Sequence, residues 1–365
     1  MSSSFGKMLT VTIFGQSHGE AIGAVLDGLP AGIRLDFDAI ARFMARRAPG
    51  GALSTARKEA DQPQALSGLC DGITCGAPLA VMIQNGDHRS RDYDKLRDLP
   101  RPMHADYPAA IKYHGCNDIR GGGQFSGRLT APLCFAGAVA GQLLAQKGIT
   151  VGAHIAAIHG VEDEPFDPVG IDAETLRRVT AQAFPTLSVQ AGERMQREIE
   201  AARQSLDSVG GIVECAAVGL PAGIGEPLYE SLESRISSLL FSIPAVKGVE
   251  FGAGFAAAVM TGSEHNDPFT VQNGVVRTAT NRHGGILGGI STGMPVLFRA
   301  AFKPTPSIAR PQQTVSLSQG CEEPLQIEGR HDPCVVLRAV PCVEAAASLA
   351  LLDLMLESKG RDQWN

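Results

Sequence analysis

The pentapeptide Leu29-Pro30-Ala31-Gly32-Ile33 recurs letter for letter as Leu220-Pro221-Ala222-Gly223-Ile224. Each copy follows a run that is typical of a β-strand and precedes a pattern that is typical of an α-helix. The second helix would end at Pro244, since proline cannot continue a helix. Because the pentapeptide has the same strand–turn–helix context twice, we predict a duplicated unit within one domain, 1–365, with halves near 8–200 and 210–356.

The remaining apolar patterns predict an α+β fold. Neighbouring strand-like runs joined by short turns favour antiparallel pairing over a regular βαβ alternation. The predicted strands are 8–14, 21–26, 79–83, 211–218 and 296–302. The predicted helices include 130–147, which is apolar on all sides and therefore buried, together with 193–208 and 344–356.

Composition and charge exclude several classes of function. The net charge of −6 argues against general nucleic-acid binding, which needs a broad basic surface. No signal-like segment starts the chain and no apolar run approaches about 18 residues, so we expect neither secretion nor membrane insertion. The eight cysteines form no C-x-x-C pair. We therefore expect reduced and mostly buried thiols, a cytoplasmic location and no metal site.

Three short strings, 15–20, 101–106 and 329–334, place a histidine beside glycine, proline or an acid. Histidine titrates near neutral pH, so His18 and His104 are candidate proton donors or anion-binding groups. Asp106 could orient the ring of His104. Asp332 could act as a base at the edge of a core-like run. The alternatives are a turn histidine at position 18, a surface loop at 104 and a solvated ion pair at 330–332.

Glycine-rich strings and basic residues suggest anion binding. The string 120–128 leads into a helix, whose N-terminal amides attract phosphate. The string 284–291 only loosely resembles a dinucleotide loop, because it lacks a G-x-G-x-x-G pattern. The segment 303–307 is a rigid loop with one cation and two hydroxyls. Arg46 and Arg47 end a helix, where favourable charge at the helix C-terminus explains them equally well.

Taken in order, these strings resemble the chorismate synthase family. The resemblance runs from about Gly6 to Leu356. It includes the segments 15–19, 46–50, 67–68, 101–107, 120–123, 221–223, 245–250, 284–291, 303–305 and 330–334. The chain departs from the family pattern at Gln16, Leu53, Met103, Gln124, Phe125, Gly127 and Leu129, and two of these changes, at Leu53 and Gln124, remove a positive charge.

The resemblance implies an anti-1,4-elimination of phosphate from 5-enolpyruvylshikimate 3-phosphate, which gives chorismate and requires reduced FMN. It assigns His18 to the departing phosphate, His104 to the neighbourhood of the flavin and Asp332 to proton removal. Substrate contacts would come from Ser17, Arg46, Arg47 and Arg128. Flavin contacts would come from Gln124, Phe125, Ser126, Pro244, Ala245, Gly288, Lys303, Pro304, Thr305, Pro306, Ser307 and Arg330.

The resemblance also implies helices packed between antiparallel sheets, internal duplication and a homotetramer, a dimer of dimers. NADPH would be needed only if the enzyme reduces its own flavin. The sequence also allows two other interpretations. One is a non-catalytic relative that binds flavin or anions, and the other is a nicotinamide enzyme built on 284–289.

Overall fold

Two five-stranded antiparallel sheets enclose a layer of helices in the computed structural model, which describes residues 3–48, 61–86, 95–327, 331–360 and 364. The first sheet has the order β1-β2-β3-β7-β4. Its strands are β1 (Ser4–Phe5), β2 (Thr10–Gly15), β3 (Ala21–Asp27), β4 (Gln64–Ala65) and β7 (Leu79–Gln84). The second sheet has the order β11-β16-β10-β8-β9. Its strands are β8 (Thr150–Ile158), β9 (Val161–Glu162), β10 (Gly211–Val218), β11 (Val246–Phe251) and β16 (Val296–Phe302).

Short antiparallel hairpins connect the larger elements. They are β5 (Leu69–Cys70) with β6 (Ile73–Thr74), β12 (Phe269–Gln272) with β13 (Val275–Thr278), β14 (Ile286–Leu287) with β15 (Ile290–Ser291), and β17 (Gln312–Ser316) with β18 (Cys321–Leu325). The helices are α1 (Phe37–Arg47), α2 (Asp106–Lys112), α3 (Thr130–Gln146), α4 (Ala173–Thr180), α5 (Val189–Gln204), α6 (Leu232–Ser242), α7 (Gly262–His265) and α8 (Val336–Lys359). The predicted α+β class and its antiparallel strands are confirmed.

Helices α3 and α8 form the centre of the molecule. Helix α3 packs on β2, β3 and β7 of the first sheet, while α8 packs on β8 and β10 of the second. A Cβ atom on Gly137 would lie 2.2 Å from the Cβ of Ala345, so only glycine permits this approach. Sγ of Cys134 lies 3.8 Å from Sγ of Cys342, one turn before that contact on both helices. The two helices are therefore parallel, and both begin at the same end of the molecule.

The recurring pentapeptide makes the same hydrogen bonds in both halves. Thr74 Oγ1 donates to the carbonyl of Pro30 at 2.7 Å and accepts from the amide of Ile33 at 2.9 Å. In the second half, Ser291 Oγ likewise donates to the carbonyl of Pro221 at 2.6 Å and accepts from the amide of Ile224 at 2.9 Å. Thr74 and Ser291 each belong to a hairpin that precedes a strand next to the edge of its sheet, β7 or β16. This matched arrangement supports the proposed duplication.

Some expectations about helices were wrong. The predicted helix 344–356 begins earlier, at Val336, and contains Pro341. The predicted helix 193–208 begins at Val189, where the side chain of Ser188 caps it, and ends at Gln204.

Two helical segments, 127–146 and 336–358, are long and apolar enough, by length and composition, to cross a membrane. Most of the apolar stretch in the first segment and all of that in the second are buried inside the protein, which explains why they are apolar on nearly every face.

The expectation of mostly buried thiols was also wrong. Cys134, Cys215, Cys334 and Cys342 are buried, but Cys70, Cys75, Cys116 and Cys321 are exposed. All eight cysteines are free in this structure.

Candidate active site

A cavity of about 540 Å³ opens at the end of the molecule where α3 and α8 begin. This volume suits a small ligand. Its wall is built from five stretches that are far apart in the sequence. They are 101–105, 121–130, 241–247, 302–307 and 331–342, with Arg47 added from α1.

His104 lies in this wall and has a fixed orientation. Its Nδ1 is 2.6 Å from Oδ1 of Asp106, and the guanidinium of Arg101 is 2.7 Å from the other oxygen of the same carboxylate. Burial alone would raise the pKa of Asp106, but hydrogen bonds from Arg101 and His104 hold it well below its usual range. An ionised Asp106 can only accept, so Nδ1 of His104 carries a proton and Nε2 is the nitrogen that can exchange one. The predicted orienting role of Asp106 is confirmed.

Ser17 and His18 do not line the cavity, but both lie against Gly121, which does. The backbone amide of Ser17 donates to the carbonyl of Gly123 at 3.1 Å. A Cβ on Gly121 would lie 2.6 Å from both Ser17 Oγ and His18 Cδ2, and a Cβ on Gly122 would lie 3.1 Å from Nε2 of His104. Both glycines have positive φ angles, 59° and 86°, which side chains rarely adopt. The absence of side chains at Gly121 and Gly122 leaves room beside both imidazoles, that of His104 in the cavity wall and that of His18 next to Gly121.

Two predicted arginines share one buried carboxylate at the cavity wall. Arg47 lies 2.5 Å from Asp61, and Arg128 pairs with the second oxygen of the same group. All three side chains are nearly inaccessible to solvent. Asp61 lies far from both arginines in sequence, and sequence reasoning missed it.

Arg46 has a different position from its neighbour. Its guanidinium forms a two-point pair with the buried Glu344, at 2.5 and 2.8 Å, and is not among the groups that line the cavity. Adjacent helical residues point about 100° apart, so only one of the two arginines can face the cavity. The structure therefore does not bring Arg46 together with the other predicted substrate contacts.

Asp332 lines the cavity and pairs with a cation that sequence reasoning missed. Arg338 Nη1 lies 2.7 Å from Oδ2 of Asp332. Arg338 Nε also donates to the backbone carbonyl of Arg47 at 2.9 Å, which ties the start of α8 to the end of α1. Arg330 lies outside the described residues.

Most of the predicted flavin contacts meet in this wall. Those that line it are Gln124, Phe125, Ser126, Pro244, Ala245, Lys303, Thr305, Pro306 and Ser307. Pro304 does not line it, and Gly288 lies in the exposed turn between β14 and β15. Ser307 Oγ accepts a hydrogen bond from Arg101 at 3.2 Å, so it also supports the His104 arrangement.

The cavity favours anions for two reasons. The positive ends of the parallel helices α3 and α8 both face it, and helix dipoles attract negative charge. Lys247 and Lys303 also line the cavity; burial, followed by the charge of Lys247, lowers the pKa of Lys303. Among the residues that the structure describes, no three acidic, histidine or cysteine side chains are grouped as a metal site would require.

Comparison with known proteins identifies the family. The sequence profile of chorismate synthase matches residues 9–356. The chain belongs to the chorismate synthase family.

Curated chorismate synthases agree with this assignment over nearly the whole chain. The enzyme of Thermococcus gammatolerans is 48% identical over 355 residues, which cover 97% of this chain and 98% of that protein. The enzyme of Pyrococcus abyssi is 47% identical over 352 residues, covering 96% and 97%. A crystal structure of chorismate synthase superimposes with a TM-score of 0.76 at 26% identity, covering 98% of this chain and 94% of that one.

Chorismate synthases are carbon–oxygen lyases of the shikimate pathway, which leads to the aromatic amino acids. The activity of this chain is the elimination of phosphate from 5-enolpyruvylshikimate 3-phosphate to give chorismate. The family in general requires a reduced flavin. Membership of this family disfavours the alternative interpretation, a nicotinamide enzyme built on 284–289.

Proposed function

We propose that the cavity between the starts of α3 and α8 is where this elimination occurs, with His18, His104 and Asp332 as its catalytic groups. The observation that carries the proposal is that His104 and Asp332 line one cavity and His18 lies against Gly121 in its wall, although the three residues are more than 80 positions apart in the sequence. Ser17, Arg47 and Arg128 would bind the anionic groups of the substrate, as predicted. Arg46 would instead stabilise the position of α8 through its ion pair with Glu344.

The leaving phosphate would depart toward His18 and Arg128. As the C–O bond breaks, negative charge grows on the phosphate oxygens, and the dipoles of α3 and α8 stabilise it there. A protonated His18 can donate a hydrogen bond to the same oxygens. Because Gly121 has no side chain, nothing on that residue separates the imidazole from the phosphate.

Proton removal from the ring would involve Asp332. The ion pair with Arg338 restrains the carboxylate of Asp332, which lines the cavity. His104, whose Nδ1 proton is held by Asp106, offers Nε2 for a proton on the opposite side. Removal of a proton-transfer group typically lowers the rate of an enzyme about 10² to 10⁴-fold.

The wall fits reduced FMN. Gly121 and Gly122 have no side chains, and this leaves a space beside their backbone that a Cβ would fill. Lys247 and Lys303 supply positive charge for a phosphate group. Gln124–Ser126, Pro244, Ala245 and Thr305–Ser307 would hold the cofactor. When bound, the reduced flavin would lend electron density to the breaking C–O bond and recover it as the ring hydrogen leaves. Whether the protein itself reduces FMN with NADPH would be tested by aerobic turnover without added reductase.

We further propose a cytoplasmic homotetramer, a dimer of dimers. Several large apolar side chains are strongly exposed on the single chain, which is typical of surfaces that associate. They are Leu228, Tyr229, Phe255, Val259, Phe269 and Val271. Mass measurement by light scattering would show a tetramer if this is correct and a monomer if it is not.

An anaerobic assay with chemically reduced FMN tests the proposed function. The expected result is chorismate formation that depends on reduced flavin and is saturable in 5-enolpyruvylshikimate 3-phosphate. Flavin and substrate binding without chorismate formation would instead favour a non-catalytic relative.

A further inference from the structure

Asn85 follows the last residue of β7, and its side chain bonds to three groups. Its Nδ2 donates to the carbonyl of Gln16 at 3.1 Å and to the carbonyl of Gly19 at 2.9 Å. Its Oδ1 accepts from Nε of Arg128 at 3.0 Å. A carboxamide has two N–H groups and one carbonyl, so both donors and the acceptor are used.

The two carbonyls belong to the turn that carries His18. Within this turn the amide of Gly19 donates to the carbonyl of Gln16 at 3.1 Å. The backbone amide of Asn85 adds a bond to the carbonyl of Glu20, also at 3.1 Å. Asn85 therefore holds the turn at both of its ends, and the imidazole between them is only 6% exposed.

The third partner belongs to the anion-binding side of the cavity. Arg128 is paired with Asp61 through Nη1, and the bond to Asn85 fixes its Nε edge. One side chain thus contacts both the histidine turn and an arginine that would bind the same departing phosphate.

The geometry points to Asn85 as a positioning residue, which sets the distance between His18 and Arg128 so that both meet one phosphate group. The inference rests on the proposed function, since it assigns these two residues to the phosphate. Asn85 itself would touch neither substrate nor cofactor. Displacement of a reacting group by about 1 Å can cost on the order of 10²-fold in rate.

Asn85→Asp tests the role with little change of shape. The carboxylate can still accept from Arg128, but it loses both N–H donors and faces two carbonyl oxygens, which releases the turn. We expect kcat/KM to fall by roughly 10²-fold. Gln84→Ala, a change at the neighbouring exposed residue at the end of β7, is the matched control and leaves kcat/KM unchanged.

A double-mutant cycle with His18→Ala separates positioning from general destabilisation. If Asn85 acts through His18, Asn85→Asp changes the residual activity of the His18→Ala variant by no more than about threefold. A full loss of roughly 10²-fold in that background as well, or none in the wild type, would overturn the inference.

A second readout does not depend on turnover. In the NMR spectrum of the intact protein, inorganic phosphate should shift the Hε1 resonance of His18, and Asn85→Asp should weaken the apparent phosphate affinity about tenfold. An identical phosphate titration in both proteins would overturn the positioning role. If the wild type instead binds phosphate but forms no chorismate, the proposed function fails and the role of Asn85 stands.

Discussion

The imidazole Nδ1 of His104 lies 2.6 Å from Oδ1 of Asp106, two residues along the chain. Arg101 also approaches this nitrogen, at 3.1 Å, but a guanidinium can only donate. The shorter contact with the carboxylate therefore decides the tautomer, and it leaves Nε2 as the reactive nitrogen.

Asp106→Asn should lower kcat by about 10²-fold, because the amide no longer fixes the Nδ1 proton and the His104 ring loses its defined tautomer. Steady-state kinetics under anaerobic conditions measure the effect. Asp36→Asn is the control, since Asp36 caps α1 at the surface and asparagine caps equally well. A wild-type kcat in Asp106→Asn would remove the orienting role.

Gly121→Ala should abolish most activity and lower the melting temperature. The new Cβ would lie 2.6 Å from Ser17 and His18, in a backbone conformation that disfavours any side chain. Gly115→Ala provides a matched control: Gly115 also has a positive φ, 73°, but its Cβ would meet nothing within 4 Å. Both variants should lose about 1 kcal/mol from backbone strain, and only Gly121→Ala should lose activity. Equal activities in the two variants would contradict the proposed route from His18 to the cavity.

Arg338→Met should lower kcat by about 10-fold or more, because Asp332 loses the partner that fixes its direction. Arg338→Lys should recover part of this loss by restoring the charge. Arg310 is an exposed arginine that also pairs with an aspartate at 2.8 Å, and Arg310→Met is expected to have little effect. If Arg338→Met matches Arg310→Met in kcat, Arg338 does not position Asp332.

His154 should make the stability of the protein depend on pH. It lies on β8, fully buried between Asp163 at 3.0 Å and Glu214 at 2.9 Å. Burial lowers its pKa, but the hydrogen bonds to the two carboxylates outweigh this and raise the pKa above 6.5. A raised pKa in the folded state stabilises the protein below the unfolded value, and this contribution is lost as the pH rises through the folded pKa.

Chemical denaturation of wild type and His154→Gln at several pH values measures this contribution. The difference in the free energy of unfolding should be largest below pH 6.5, about 3 kcal/mol or more, and should shrink at higher pH. A difference that is constant with pH, or that grows with it, would show that His154 is neutral in the folded protein.

The elements of this fold were largely predictable because their signals are local. The strands β2, β3, β7, β10 and β16 agree with the apolar runs, and α3 is buried on nearly all sides as expected. The recurring pentapeptide identified the repeated strand–turn–helix. Its hydroxyl partners, Thr74 and Ser291, lie 41 and 67 residues beyond the bonded isoleucines, so no local pattern reveals them.

The candidate site was predictable only in part, for a similar reason. Strings with unusual local chemistry singled out His18, His104 and Asp332. Asp61, Asn85 and Arg338 have ordinary sequence surroundings, and only the folded chain brings them to the arginines and the histidine turn. The sequence also does not show which of Arg46 and Arg47 faces the cavity, because this depends on how α1 is rotated against α8.

Anaerobic stopped-flow mixing of the protein and reduced FMN with 5-enolpyruvylshikimate 3-phosphate tests the shared cavity most directly. The account predicts a transient change in the reduced-flavin absorbance that forms on mixing and decays as chorismate appears, and that is weakened in both His104→Ala and Asp332→Ala. A flavin spectrum that stays flat on mixing, or a wild-type transient in both variants, would contradict it.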